Sequence, residues 1–159
     1  MTVLIYLPNQ RQGAVPMFFG INFKGNHAIH PDEGITLPSE EKLLTYGRKY
    51  MFPRGNAASR WPVEMLMKHG YGLATFYRGD IDPDFDDGVH PLFYKKGQKR
   101  PADDEWGTLA AWAWGMSCVM DYFETDKDID AKRVAIFGHS RLGKTTLWAG
   151  AIDLRFAWV

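Results

Sequence analysis

The feature that most constrains this chain is one uninterrupted passage from a strand-like run, through a glycine-flanked turn, into helix-compatible sequence. Arg133 to Phe137 reads as a short strand and runs directly into Gly138-His139-Ser140-Arg141-Leu142-Gly143-Lys144, with helical spacing from Thr145 to Ala151 behind it. Such strand–turn–helix steps are the units of α/β proteins, in which each helix packs back onto the sheet. A serine hydroxyl is a poor nucleophile unless it projects from a tight turn, beside a general base and opposite donors for an oxyanion. Gly138 and Gly143 permit a turn of that kind. In the usual nucleophile elbow the glycines stand two residues on either side of the serine. Here the second glycine stands three residues after Ser140, and that displacement opens a second reading. Gly138 to Thr145 also fits the phosphate-binding pattern G-x-x-x-x-G-K-T, in which Lys144 would reach a terminal phosphate and Thr145 would hold magnesium. No hydrophobic run ending in a magnesium-binding Asp precedes the loop. A plain βα turn without chemistry is the third reading, and the loop alone leaves all three open.

The rest of the chain alternates strand-like and helix-like periods in the same α/β manner. Val3 to Leu7, closed by Pro8, and Val15 to Phe23 are predicted to be neighbouring strands joined through the turn residues Asn9 to Gly13. Ser59, Pro62 and Gly70 frame a short helix around Val63, Met65, Leu66 and Met67. Tyr71 to Tyr77 reads as a buried strand, and the Asp-, Gly- and Pro-rich stretch from there to Pro101 as a long loop. Between Trp106 and Phe123, Leu109, Trp112, Ala113, Met116, Val119, Met120 and Phe123 recur at helical spacing and predict a helix lying on one sheet face. Trp106, Trp112 and Trp114 are read as core residues rather than as a platform for sugar rings. Phe18 to His27 is a strand running into small residues. Hydrolases carry their second oxyanion segment in such a place, so Gly25, Asn26 and His27 are candidates for it, against an ordinary β-turn. The final apolar run, from Asp153 to Val159, reads as a further strand.

Composition narrows the partners. The 159 residues, 45% hydrophobic and 24% charged, suit one globular unit. The 19 basic residues balance the 19 acidic ones, which argues against nucleic acid or an anionic membrane as partner. No segment is long and apolar enough to span a bilayer, and the N-terminus lacks the basic region of a signal peptide, which fits a chain whose signal peptide has been removed. The single cysteine, Cys118, forms no intrachain disulfide and reads as a buried small residue among Met116, Val119 and Met120. His27, His30, His69 and His90 lack metal-ligand spacing, so no metal is predicted. Asp80, Asp82, Asp84, Asp86 and Asp87 read as a solvated loop rather than a calcium site.

The segment from Gly138 to Lys144 resembles the G-C-S-R-x-G-K signature of the glucuronoyl esterases, carbohydrate esterase family 15, and shares its displaced glycine. Asn22 to His27, Ser59-Arg60-Trp61-Pro62, Gly79 to Asp84, Glu105 to Thr108 and Ala111 to Gly115 are similar to the bacterial branch of that family. The resemblance implies an α/β-hydrolase fold, secretion or a periplasmic location, and no cofactor. The implied activity is cleavage of the ester between a 4-O-methyl-glucuronate branch of xylan and a lignin alcohol. It further implies Ser140 as nucleophile, Arg141 as stabiliser of the oxyanion and Lys144 as a contact to uronate hydroxyls. Fungal members carry, at the position of His139, a cysteine disulfide-bonded near the catalytic histidine, so this protein positions its histidine without that bridge. His139 itself is read as a packing residue, because the residue before the nucleophile points away from the hydroxyl. Acetyl xylan esterase is the nearest rival substrate class, and a P-loop nucleotide-binding domain the rival class of protein. In this fold the catalytic acid and histidine follow the serine, and 19 residues follow Ser140 here. Residues 1–159 therefore read as the N-terminal part of one α/β-hydrolase domain, truncated after the elbow helix. Its missing C-terminal part would supply the acid and the histidine, and residues 1–159 alone are expected to be inactive.

Overall fold

The computed structural model describes residues 1–38, 52–82, 95, 97, 98 and 100–159. Among the described residues, four strands form one sheet in the order β1-β3-β2-β4, where β1 is Val3–Tyr6, β2 Val15–Asn22, β3 Gly72–Tyr77 and β4 Ile129–Ile136. The helices are α1 (Val63–Lys68), α2 (Thr108–Phe123) and α3 (Arg141–Ile152). Strands β3, β2 and β4 run parallel, and β1 is antiparallel to β3.

Burial explains the order. Strands β2 and β3 are apolar on both faces and almost wholly buried, as interior parallel strands are, while β1 is half-buried throughout and takes the edge. Pro16 sits where the β2–β4 register shifts between Val15 and Met17, an irregularity that accommodates a residue with no N–H to donate. The predicted adjacency of β1 and β2 is corrected here: β3 lies between them, pairing Tyr6 with Leu73 on one side and Phe18 with Leu73 on the other. A link of a few residues suggested a hairpin, but a doubly apolar strand buries more between two parallel neighbours than beside the half-buried edge strand β1.

Helix α2 covers one sheet face, burying Trp112, Met116, Val119, Met120 and Phe123 against Phe19, Phe76 and Ile136. Removing a fully buried ring such as that of Trp112 costs about 3–5 kcal/mol. Trp106 and Trp114 are exposed, so only one of the three tryptophans is core. Cys118 is half-buried rather than buried, and that burial raises its thiol pKa. Asp82 also departs from the expected solvated loop. It is fully buried, accepting from Thr108 Oγ1 at 3.2 Å through its carboxylate and from Trp112 Nε1 at 3.1 Å through its backbone carbonyl. Asp84, Asp86, Asp87 and His90 lie outside the described residues.

Helix α1 starts after Pro62 and ends at Lys68, with Gly70 in a positive-φ turn (80°) beyond it, while Ser59 lies in a separate 3-10 turn. Arg155 ties α2 to the segment after α3: its guanidinium donates to Asp121 and Glu124 at 2.7 Å and to Asp153 at 2.7 Å. Trp158 makes an isolated parallel bridge with Ala135 on the free side of β4, while Leu154 and Arg155 form a turn, so the strand expected from Asp153 to Val159 is reduced to that one bridge.

Candidate active site

The carboxyl ends of β2, β3 and β4 lie side by side, the position at which open α/β sheets place their ligands. Each end opens into a turn, and the three turns carry Phe23, Arg78 and Ser140-Arg141 respectively.

The turn after β4 is fixed by close packing. Phe137 N–H donates to Phe19 O at 3.0 Å, holding the strand end to β2, and a Cβ added to Gly20 would stand 2.8 Å from the Phe137 carbonyl. A Cβ on Gly138 would overlap the Leu142 carbonyl and the Thr146 hydroxyl, so only glycine fits. Gly143 is less constrained, since its Cβ would meet the Gly138 carbonyl at 3.3 Å. The displaced glycine thus has a local reason. The position two residues after the serine is occupied by Leu142, whose side chain is buried in the core.

Ser140 has φ 58° and ψ −126°, and among the described residues it is the only non-glycine with positive φ. That ψ lies far from the left-handed helical well, so the residue carries about 1–3 kcal/mol of backbone strain. Its side chain is exposed and its hydroxyl has no hydrogen-bond partner among the described residues; no histidine or carboxylate of those residues reaches it. Arg141 begins α3 directly, where first-turn N–H groups point out of the helix and the macrodipole favours negative charge. Its guanidinium lies 6.0 Å from the Phe23 ring centroid. Lys144 is exposed on the first turn of the same helix.

The same geometry removes the phosphate-loop reading. Helix α3 begins three residues earlier than its Lys144-Thr145 pair, so Gly143 and Lys144 N–H already donate to Ser140 O at 3.0 and 3.2 Å. Thr145 is fully buried and donates its hydroxyl to Arg141 O at 3.1 Å. Neither the amides nor the hydroxyl can turn toward a phosphate or magnesium.

The loop after β2 is held by polar bonds. Asn22, 2% exposed, accepts from Gly25 N–H at 2.7 Å and donates to Asn26 Oδ1 at 2.8 Å and Thr75 Oγ1 at 3.1 Å. Gly25 has φ 92°, which favours glycine. Asn26 donates onward to the Thr2 carbonyl at 3.0 Å. His27 is buried with Nε2 donating to Phe52 O at 2.9 Å, and its Nδ1 has no partner among the described residues. The side chains of Asn26 and His27 are therefore occupied in building the loop, while the Phe23 ring lies beside the Arg141 guanidinium and Lys24 donates to Asn56 Oδ1 at 2.6 Å. Asn22 was missed as a site residue. Its signal is an Asn at a strand end three residues before a Gly, a pattern that closes a turn through the side chain. A cavity of about 420 Å³ lies between the two loops, lined by Phe23, Lys24, Trp61, Phe137, His139 and Leu142 among others. His139 is exposed on its wall, not packed as expected.

A mixed sheet of this order, with a strained serine just beyond the end of a parallel strand and a helix starting on the next residue, defines an α/β-hydrolase. A family model described as glucuronyl esterase, fungi, matches residues 63–158, and the chain belongs to that family. It is 54% identical over 166 residues to carbohydrate esterase MZ0003 from an unknown prokaryotic organism, covering 99% of this chain and 38% of that protein. Among solved structures it matches a glucuronoyl esterase from Solibacter usitatus, with TM-score 0.84 and 46% identity over 97% of this chain and 41% of that one. A promiscuous CE15 esterase from a marine bacterial metagenome gives TM-score 0.78 and 51% identity, covering 98% of this chain and 41% of the other. The chain thus spans about 40% of the length of these relatives.

Proposed function

We propose that this chain forms the nucleophile-bearing part of a secreted serine esterase that cleaves 4-O-methyl-glucuronate esters joining xylan to lignin alcohols. The observation that carries the reading is Ser140, exposed and strained at the end of β4 with a helix N-terminus directly behind it. Its hydroxyl would attack the ester carbonyl, passing its proton to a histidine. The oxyanion would be met by the Arg141 N–H and guanidinium, and Lys144 would bind hydroxyls of the uronate. Collapse of the tetrahedral intermediate would release the alcohol and leave an acyl-serine, which water would hydrolyse to the free uronic acid.

In this reading residues 1–159 are the N-terminal part of one catalytic domain, and the acid and histidine come from the remainder of that domain. Leu147, Trp148, Ile152, Leu154 and Trp158, all exposed on or just after α3, give an apolar surface suited to being covered by that remainder. The test is turnover of a methyl glucuronate ester by the full-length esterase, with acetylated xylan as the competing substrate. Ser140→Ala is expected to lower kcat by about six orders of magnitude. Retention of activity by that variant, or preference for acetyl esters, would replace the reading.

A further inference from the structure

Arginine stabilises an oxyanion only if its guanidinium is already in place when charge develops, yet its side chain is long and rotamer-rich. A group that holds Arg141 is therefore required, and the three turns at the strand ends supply one. Phe23 follows β2, Arg78 follows β3 and Arg141 follows β4. The Phe23 ring has the Arg141 guanidinium 6.0 Å from its centroid and the Arg78 guanidinium at 5.8 Å. Arg78 is buried and lies 5.5 Å from the ring of Trp112, which is itself fully buried in the core. The backbone beneath Phe23 is fixed by Asn22, whose amide is hydrogen-bonded through both its oxygen and its nitrogen.

We infer that Phe23 is a positioning residue for Arg141: the sequence Trp112, Arg78, Phe23, Arg141 carries order from the core to the guanidinium of the residue that follows Ser140. The ring face attracts the cation and restricts its orientations through its π face rather than through a hydrogen-bond acceptor. This inference rests on the oxyanion role given to Arg141 under the proposed function.

The test is steady-state kinetics on a methyl glucuronate ester with full-length esterase carrying Phe23→Leu, Phe23→Tyr, Arg141→Ala, and Phe23→Leu combined with Arg141→Ala. Phe23→Leu is expected to lower kcat about tenfold with KM changed less than about twofold. Phe23→Tyr, which keeps the ring face, restores most of what leucine loses. The double variant is no slower than Arg141→Ala alone, because the ring acts through that side chain. An equal loss from Phe23→Leu with and without the Arg141 side chain overturns the inference and leaves Phe23 a packing role, with Arg141 still in the mechanism. Arg141→Ala within about threefold of wild-type kcat overturns both readings, and so separates their failures. If Phe23→Leu does not fold by circular dichroism, Phe23→Met, which fills similar space without a ring, takes its place in the same comparison.

Discussion

The two loops that face each other at the carboxyl ends of β4 and β2 are held by opposite means. The turn at Ser140 is fixed sterically: Gly138 has no room for a Cβ, Gly20 lets the strand end approach, and the hydroxyl itself is bound to nothing among the described residues. The loop from Asn22 to His27 is fixed by polar bonds, with one buried amide satisfying three partners. The contrast follows from what each loop exposes. The nucleophile role proposed for Ser140 needs an uncommitted hydroxyl, so the backbone beneath it is constrained by exclusion. A loop that carries aromatic and cationic side chains can spend its own polar groups on rigidity.

The comparison breaks most sharply at Arg141. Under the proposed oxyanion role, Arg141→Ala is expected to lower kcat by a hundred- to a thousandfold, about 3–4 kcal/mol of transition-state stabilisation, while KM on the proposed uronate ester stays nearly constant. The steric side is tested next by Gly138→Ala. Overlap with the Leu142 carbonyl and the Thr146 hydroxyl should cost about 3 kcal/mol in a denaturant midpoint experiment and displace the serine. Gly143→Ala should stay within about 1 kcal/mol of wild type, since a gain in helix propensity offsets the 3.3 Å contact. Equal effects at the two glycines would remove the steric account. On the polar side, Asn22→Ala strands the Gly25 N–H and should cost about 2 kcal/mol, measured by the same midpoint.

The smallest effect is a control away from both loops. The Asp153 carboxyl is held down to about 2, chiefly by the hydrogen bond from Arg155. A depressed folded-state pKa stabilises above the unfolded value of 3.8, and that contribution is lost as pH falls toward about 2. Solvent screening limits it to about 1 kcal/mol. Asp153→Asn should therefore lower the unfolding midpoint near neutrality, and the difference from wild type should close between about pH 4 and about pH 2 while activity at neutral pH is unaffected.

Local pattern reached the elbow and stopped short of the network around it. The strand running into Gly138, the serine and the α2 stripe were legible because each is set by neighbours within a few residues. Helix α3 begins at Arg141 rather than Thr145, because the strained serine serves as its N-cap and no spacer is needed. The β1–β3 pairing was not legible, since Tyr6 meets Leu73 across more than sixty residues of chain. Asp82 looked like the other aspartates of an Asp-rich stretch, and only the fold brings Thr108 and Trp112 over it. Phe23 and Arg78 are near one another for the same nonlocal reason: adjacent parallel strands deliver to one place residues that the sequence keeps far apart.

The strain at Ser140 bears on how such a sequence can change over generations. Glycine at that position would adopt φ 58° and ψ −126° without penalty, so the mutation that most relieves the backbone is the one that deletes the proposed nucleophile. Selection for a more robust fold and selection for chemistry therefore pull against each other at a single codon. On the proposed function, a lineage that no longer met an ester substrate would be expected to drift there first, leaving a better-folded, silent descendant whose Gly138 and buried Asn22 still outline the proposed site.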